Sequence, residues 1–171
     1  MKNYLIISIL TLSLLSTCKP VNKNQPNNKK LIHSHELNRA VPQDLHTGTT
    51  YLPVYSQIYQ LHEDKTYNLT VTVSMRNVSP TDTLYLFMAD YYNSKGDKLN
   101  AYLNQPIALQ PLETMDIVIK ETDQSGGTGA NFLFGWGIAN IQHEPIFESV
   151  MISTSGQQGL SFLTRGIKIS K

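Results

Sequence analysis

The chain has 171 residues, of which 40% are hydrophobic and 16% charged, and a formal charge of +1. That balance is globular but light in charge, which suits a β-rich protein better than a helical bundle built on Glu, Lys and Leu. Residues 19–50 carry five basic and two acidic side chains, whereas residues 51–171 carry eight basic and eleven acidic ones. A mildly acidic domain disfavours nucleic acid as a partner, because phosphate binding needs clustered cations.

Lys2 supplies a minimal positive start, and residues 4–15 form an apolar run of about 12 residues. Such a run is too short to cross a bilayer core of about 30 Å as a permanent helix and fits a cleaved export signal. Leu15-Ser16-Thr17-Cys18 resembles the bacterial lipobox, in which an apolar residue and two small ones precede a cysteine that is acylated through sulfur. Thr17 departs from the usual Gly, Ala or Ser. Cys18 is the single cysteine of the chain, so disulfides and cysteine-based zinc sites are excluded.

The expectation is a signal peptide over 1–17, a lipidated Cys18 carrying palmitate-type chains, and a tether through residue 50. Two or three acyl chains hold a membrane far more firmly than one. Lys19 is not the Asp that retains lipoproteins in the inner membrane, which points to the cell outer membrane where there are two membranes. Residues 19–50 are rich in Asn, Lys, Gln, Pro and His and show no apolar period beyond Leu31-Ile32. They cannot offset their own ordering entropy and read as a disordered spacer. His33 and His35 within it lack the fixed geometry of a metal site.

From Tyr51 onward the pattern turns to period two. Leu69, Val71, Val73 and Met75 alternate with Thr70, Thr72, Ser74 and Arg76, which predicts a half-buried strand. Residues 84–93 are apolar on both faces, as a central strand requires, and residues 77–82 form the loop between the two. Ser94-Lys95-Gly96-Asp97 is turn chemistry and predicts a hairpin into residues 99–103. Pro106 and Pro111 bracket a connection. Further strands are expected over 115–120, 132–139, 146–153 and 160–169, the last with a break at Gly166. Residues 51–59 add one more, with Pro53 confining it to an edge or a strand start. Seven to nine short strands without a convincing helix predict an all-β chain folded as one β-sandwich over 51–171, immunoglobulin-like in general architecture.

Motif chemistry is sparse. Asp123-Gln124-Ser125-Gly126-Gly127-Thr128-Gly129-Ala130-Asn131 is rich in glycine, but it lacks the Lys of a P-loop and precedes a strand instead of a helix. It reads as a tight turn with some glycines at positive φ. His62-Glu63 and His143-Glu144 lack the second His of a zinc-protease helix. Asp123 and Glu148 are the acids that a polysaccharide hydrolase would need to bring across one bond; as a turn-former and an outward strand residue they have structural roles of their own. Tyr51, Tyr55 and Tyr59, spaced by four, fall on one face of a continuous strand and, with Tyr91, Tyr92 and Trp136, could stack on sugars or meet a partner; a sandwich also needs aromatic residues between its sheets, and core or edge packing is the default for most of them.

Over about residues 51–169 the chain resembles a family of uncharacterised bacterial exported domains, a domain of unknown function often carried by lipoproteins. The resemblance rests on Tyr51-Leu52-Pro53-Val54-Tyr55-Ser56-Gln57-Ile58-Tyr59, Arg76-Asn77, Asp90-Tyr91-Tyr92, Tyr102-Leu103 with Pro106, the glycine-rich segment, Trp136, Glu148-Ser149-Val150-Met151-Ile152 and Gln158-Gly159-Leu160-Ser161-Phe162. It implies one domain and an envelope address and transfers no functional residue.

The function expected from these readings is that of a membrane-anchored envelope lipoprotein, a non-enzymatic binding or assembly module. Its partners would be the bilayer, through Cys18, and an envelope protein or glycan, with no cofactor and no metal. The alternative is the hydrolase using Asp123 and Glu148. Candidate binding residues are Asp90, Tyr91, Tyr92, Asp123, Ser125, Asn131, Trp136 and Glu148.

Overall fold

A computed structural model describes residues 32–37, 40–153 and 159–170. Cys18 and the leader lie outside the described residues. The strands are β1 (His46–Val54), β2 (Gln57–Gln60), β3 (His62–Asn68), β4 (Thr70–Arg76), β5 (Leu84–Tyr92), β6 (Lys98–Ala101), β7 (Ile107–Leu109), β8 (Thr114–Ile119), β9 (Ala130–Ile138), β10 (Ile146–Ser153), β11 (Leu160–Arg165) and β12 (Ile167–Ser170). They build a six-stranded sheet in the order β12-β1-β9-β5-β6, with β7 also on β5, and a four-stranded sheet in the order β11-β10-β4-β8. Strands β2 and β3 make a separate hairpin. Every strand pair is antiparallel. The protein is a β-sandwich.

Period two decides what faces inward. Leu69, Val71, Val73 and Met75 are fully buried, as are Leu52, Val54, Phe132 and Phe134 on the facing sheet. The two layers meet through aromatic rings. Phe134 of the six-stranded sheet stacks on Phe147 of the four-stranded sheet with centroids 4.4 Å apart, and within the six-stranded sheet Phe132 stacks on Tyr91 at 4.9 Å. In β5 the alternation slips once. Leu86 faces Trp136 and Met88 faces Gly135, so Phe87 is the extra residue of a bulge. The inward set is therefore Leu84, Leu86, Ala89 and Tyr91 rather than one unbroken alternation, because a bulge shifts the side-chain phase by one.

Gly166 is where the last strand changes sheets. Its N–H donates to the Phe147 carbonyl at 2.8 Å, and a β-carbon there would stand 2.6 Å from Thr50 Cγ2. The expected break thus splits β11 in one sheet from β12 in the other. Pro53 sits inside β1, paired to Asn131 on one flank only, because the β12 pairing covers just Thr49 to Tyr51. Its carbonyl accepts from Thr164 Oγ1 at 2.5 Å, so the missing N–H falls on the flank without a ladder.

Three elements escape the period. The connection between Pro106 and Pro111 holds the fully buried β7. Residues 62–68, mostly exposed, form β3. At the amino-terminal side, β1 begins at His46, and residues 32–37 lie along β7: Ala108 N–H donates to the His35 carbonyl at 3.1 Å and Leu37 N–H to the Pro106 carbonyl at 3.0 Å. Ile32 is buried in the core cluster, and His35 Nε2 meets Glu113 Oε1 at 2.8 Å. The spacer reading through residue 50 therefore does not hold for residues 32–37 or 46–50. One apolar side chain and a few ladder hydrogen bonds order a segment that composition alone marks as unstructured.

Candidate functional site

The structure separates the eight nominated residues into five places. Asp123 and Ser125 sit in the glycine-rich connection between β8 and β9. Asp123 Oδ1 accepts from both the N–H and the Oγ of Ser125, at 3.1 and 2.6 Å, which is the expected turn. The connection folds inward onto hydroxyls: Ser94 Oγ donates to the Gly126 carbonyl at 3.0 Å and accepts from Gly129 N–H at 2.8 Å, and Ser56 Oγ donates to the Gly127 carbonyl at 3.1 Å. Three amides, those of Ser125, Gly127 and Gly129, are used within the fold. Of the three glycines only Gly127, at φ +73°, is left-handed. Gly126 is needed for another reason, since a β-carbon there would fall inside the contact distance of Tyr91 Oη.

Tyr91 lies under this turn, 2% exposed, and among the described residues its Oη has no partner in hydrogen-bond geometry. Burial pushes the phenol up to about 12, with the nearby Ser56 hydroxyl acting against the shift and the Asp123 charge adding to it. Tyr102, which packs on Phe132, is likewise raised by burial. Tyr91 is a core residue rather than a contact residue.

Asp90, Tyr92 and Asn131 come together on the solvent face of the six-stranded sheet. Tyr92 pairs with Asn131 and Asp90 with Leu133 across β5 and β9. Asp90 is held by Lys98 Nζ at 2.7 Å, and that hydrogen bond raises the lysine pKa. The three tyrosines expected on one face do not share one. Because β1 ends at Val54, Tyr51 stays in the six-stranded sheet, Tyr55 turns edge-on to Phe162 at 5.8 Å, and Tyr59 moves to the β2–β3 hairpin, where Thr128 Oγ1 donates to its hydroxyl at 3.4 Å.

Trp136 is also core, 1% exposed, its ring lying on Gly48 and its Nε1–H donating to Thr50 Oγ1 at 2.9 Å. A cleft of about 230 Å³ opens beside it where β11 and β12 part, lined by Glu144, Arg165, Gly166 and Lys168 among others. Lys168 Nζ spans this cleft, 2.5 Å from Glu144 Oε1 and 5.1 Å from the indole centroid. Its charge is thus engaged twice within the fold.

Glu148 stands on the solvent face of the four-stranded sheet and accepts from Arg76 Nε at 2.6 Å. It does not meet Asp123, whose charge acts instead on Tyr91 and Tyr102 at the rim of the other sheet. The face around Glu148 has an ordered pattern that no single strand displays. One row across the four strands is polar, Arg165-Glu148-Ser74-Asp116, with Ser74 Oγ donating to Asp116 Oδ1 at 2.6 Å. The next row is Leu163-Val150-Thr72-Val118, with Ile152 beyond it. Leu163 is 67% exposed, Val150 and Ile152 40% each, and Val118 37%. The sequence carries the signal for each residue as an outward apolar position in its strand, but the row exists only once the registers are set.

Sequence reasoning also missed a Ser, His and Asp cluster. Ser79 Oγ and Asp82 Oδ2 lie 3.3 and 3.8 Å from the same His143 nitrogen, Nδ1. A catalytic triad uses opposite ring nitrogens for the two partners. Ser79 is fully buried and its Oγ accepts the N–H groups of Thr81 and Asp82, which makes it the cap of the β4–β5 loop. Beside it Asn77 Nδ2 donates to the carbonyls of Asp82, Leu109 and Gln110.

Fold and surface together define an all-β sandwich domain. Residues 47–169 match the family described as a protein of unknown function, DUF3124, and the chain belongs to that family. No curated protein matches the chain. Among solved structures it is similar to a chain titled Crystal Structure of Thermotoga maritima 1070, with 5% identity, 70% of this chain and 92% of that one covered, and a TM-score of 0.43.

Proposed function

We propose that the protein is a lipoprotein of the cell envelope, anchored through Cys18 in the outer membrane of a cell with two membranes. Its sandwich works as a binding module. The lipobox-like Leu15-Ser16-Thr17-Cys18 and the apolar run before it support the anchor. From Cys18 to Ile32 the chain can reach at most about 50 Å, so a domain held this way stays close to the bilayer.

The observation that carries the binding reading is the exposed row Leu163-Val150-Thr72-Val118 with its polar neighbour row. An apolar strip flanked by charge is the anatomy of a protein contact surface. It lies on rigid strands, so little ordering entropy opposes docking.

Two measurements test this. Metabolic labelling with a palmitate analogue and detergent partition should show an acylated wild type and an unlabelled Cys18→Ala chain; equal membrane retention of both would remove the anchor. A photo-crosslinking residue at Val150, in cells making the full chain, should capture a discrete product that the same residue at exposed Lys95 does not. Identical patterns at the two sites would refute the binding face.

A further inference from the structure

We infer that the partner of this face is a second copy of the chain, docked sheet to sheet. The inference rests on the binding-module reading of the same surface.

The polar row is polarised along its length, with the Arg165 cation at the β11 end and the Asp116 anion at the β8 end. A two-fold axis lying in the face, parallel to the strands and passing between β10 and β4, lays β11 of one copy over β8 of the other. Each row then covers itself in reverse. Arg165 falls opposite Asp116 of the second copy, and the symmetry makes this pair twice. Glu148, already neutralised by Arg76, falls opposite Ser74, and Arg76 opposite Ile146. In the apolar row Leu163 covers Val118 and Val150 covers Thr72. No like charges meet. Lys120, one residue past β8, is left at the margin. An isologous contact of this kind needs a self-complementary patch, and a row running from positive to negative provides it.

The face spans four strands and about four outward residues along each, roughly 400 Å² per copy from strand spacing and rise. That is about half the area each partner contributes to a standard interface. Such a contact is weak in dilute solution and gains from confinement, because a tether that holds copies at one membrane raises their effective concentration.

The test uses the full chain in the membranes of expressing cells. Leu163→Cys and Val118→Cys are made in separately tagged copies, co-expressed and oxidised, with the wild type as baseline. The Leu163–Val118 heterodisulfide should exceed the Leu163–Leu163 product, since the symmetry sets those two residues opposite each other. Arg165→Asp in both copies, or Asp116→Arg in both, should lower the heterodisulfide on the order of tenfold through like-charge contact. Arg165→Asp in one copy with Asp116→Arg in the other should restore it, which a mere folding defect would not do. Equal disulfide yields in all pairings, or yields indifferent to the charge changes, overturn the dimer. If the Val150 crosslinker then still captures a product of another mass, the binding face stands and only the second copy as its occupant is refuted.

Discussion

Replacing Gly126 with alanine should destabilise the domain by about 2 kcal/mol, although its backbone is ordinary right-handed helical at φ −71° and ψ −34°. The new β-carbon would press into Tyr91 Oη and come within 2.9 Å of Ala130 Cβ. Tyr91 cannot swing away, because its ring is stacked on Phe132 inside the core. Removing the hydroxyl removes the obstacle. Tyr91→Phe on its own should be neutral or stabilising by up to about 1 kcal/mol, since the buried Oη has no hydrogen-bond partner to lose among the described residues. The double variant Gly126→Ala with Tyr91→Phe should then recover about 1 kcal/mol or more of the Gly126→Ala loss as coupling energy.

The two neighbouring glycines calibrate the effect. Gly127→Ala should cost about 1 to 2 kcal/mol from its left-handed φ. Gly129→Ala should be the mildest, because the nearest atom to its β-carbon is Ser94 Oγ at 3.5 Å. Urea titrations of the full chain and these five variants give the ordering. Equal losses at all three glycines, or no relief of Gly126→Ala by Tyr91→Phe, would refute the steric argument.

The Tyr91 contribution to stability should be constant below pH 10 and fall from there toward about 12, because the folded phenol stays protonated while the unfolded one ionises; alkaline denaturation should be shallower in Tyr91→Phe, with Tyr102 and Lys98 still contributing in the same direction. Gly48→Ala would set a methyl 2.5 Å from Trp136 Cζ2, so the variant should lose about 1 to 3 kcal/mol and acrylamide should quench the sole tryptophan more readily, whereas unchanged quenching would show that the ring yields without cost. Ile32→Ala should cost about 2 kcal/mol and speed proteolytic cleavage within residues 32–37, and a variant as stable as wild type would mean that this segment does not contribute to the core.

Much of this fold is written in short-range pattern. Alternation alone places Leu69, Val71, Val73 and Met75 inside, and β10 spans the expected residues 146–153, because one face of a strand must be dry and the other wet. The turn at Ser94-Lys95-Gly96-Asp97 and the break at Gly166 are legible for a local reason: Gly96 takes φ +84°, and a bend where the chain leaves a sheet needs the missing β-carbon. Leu15-Ser16-Thr17-Cys18 is a linear motif, so the expectation of an anchor needs no fold at all.

What local pattern could not supply is anything that depends on which strands become neighbours. In the sequence Tyr91 and Trp136 fit either core packing or a contact surface, and only the closed sandwich decides for the core. Asp123 and Glu148 look equivalent in sequence yet end on different parts of the molecule, because β8 leads into the loop at the rim while β10 is central to its sheet. Ile32 joins the core across a long sequence separation that no window of periodicity spans. The row of Leu163, Val150, Thr72 and Val118 draws one residue from each of four strands. Each position says only that its side chain points outward, and strand order and register turn four such residues into one surface.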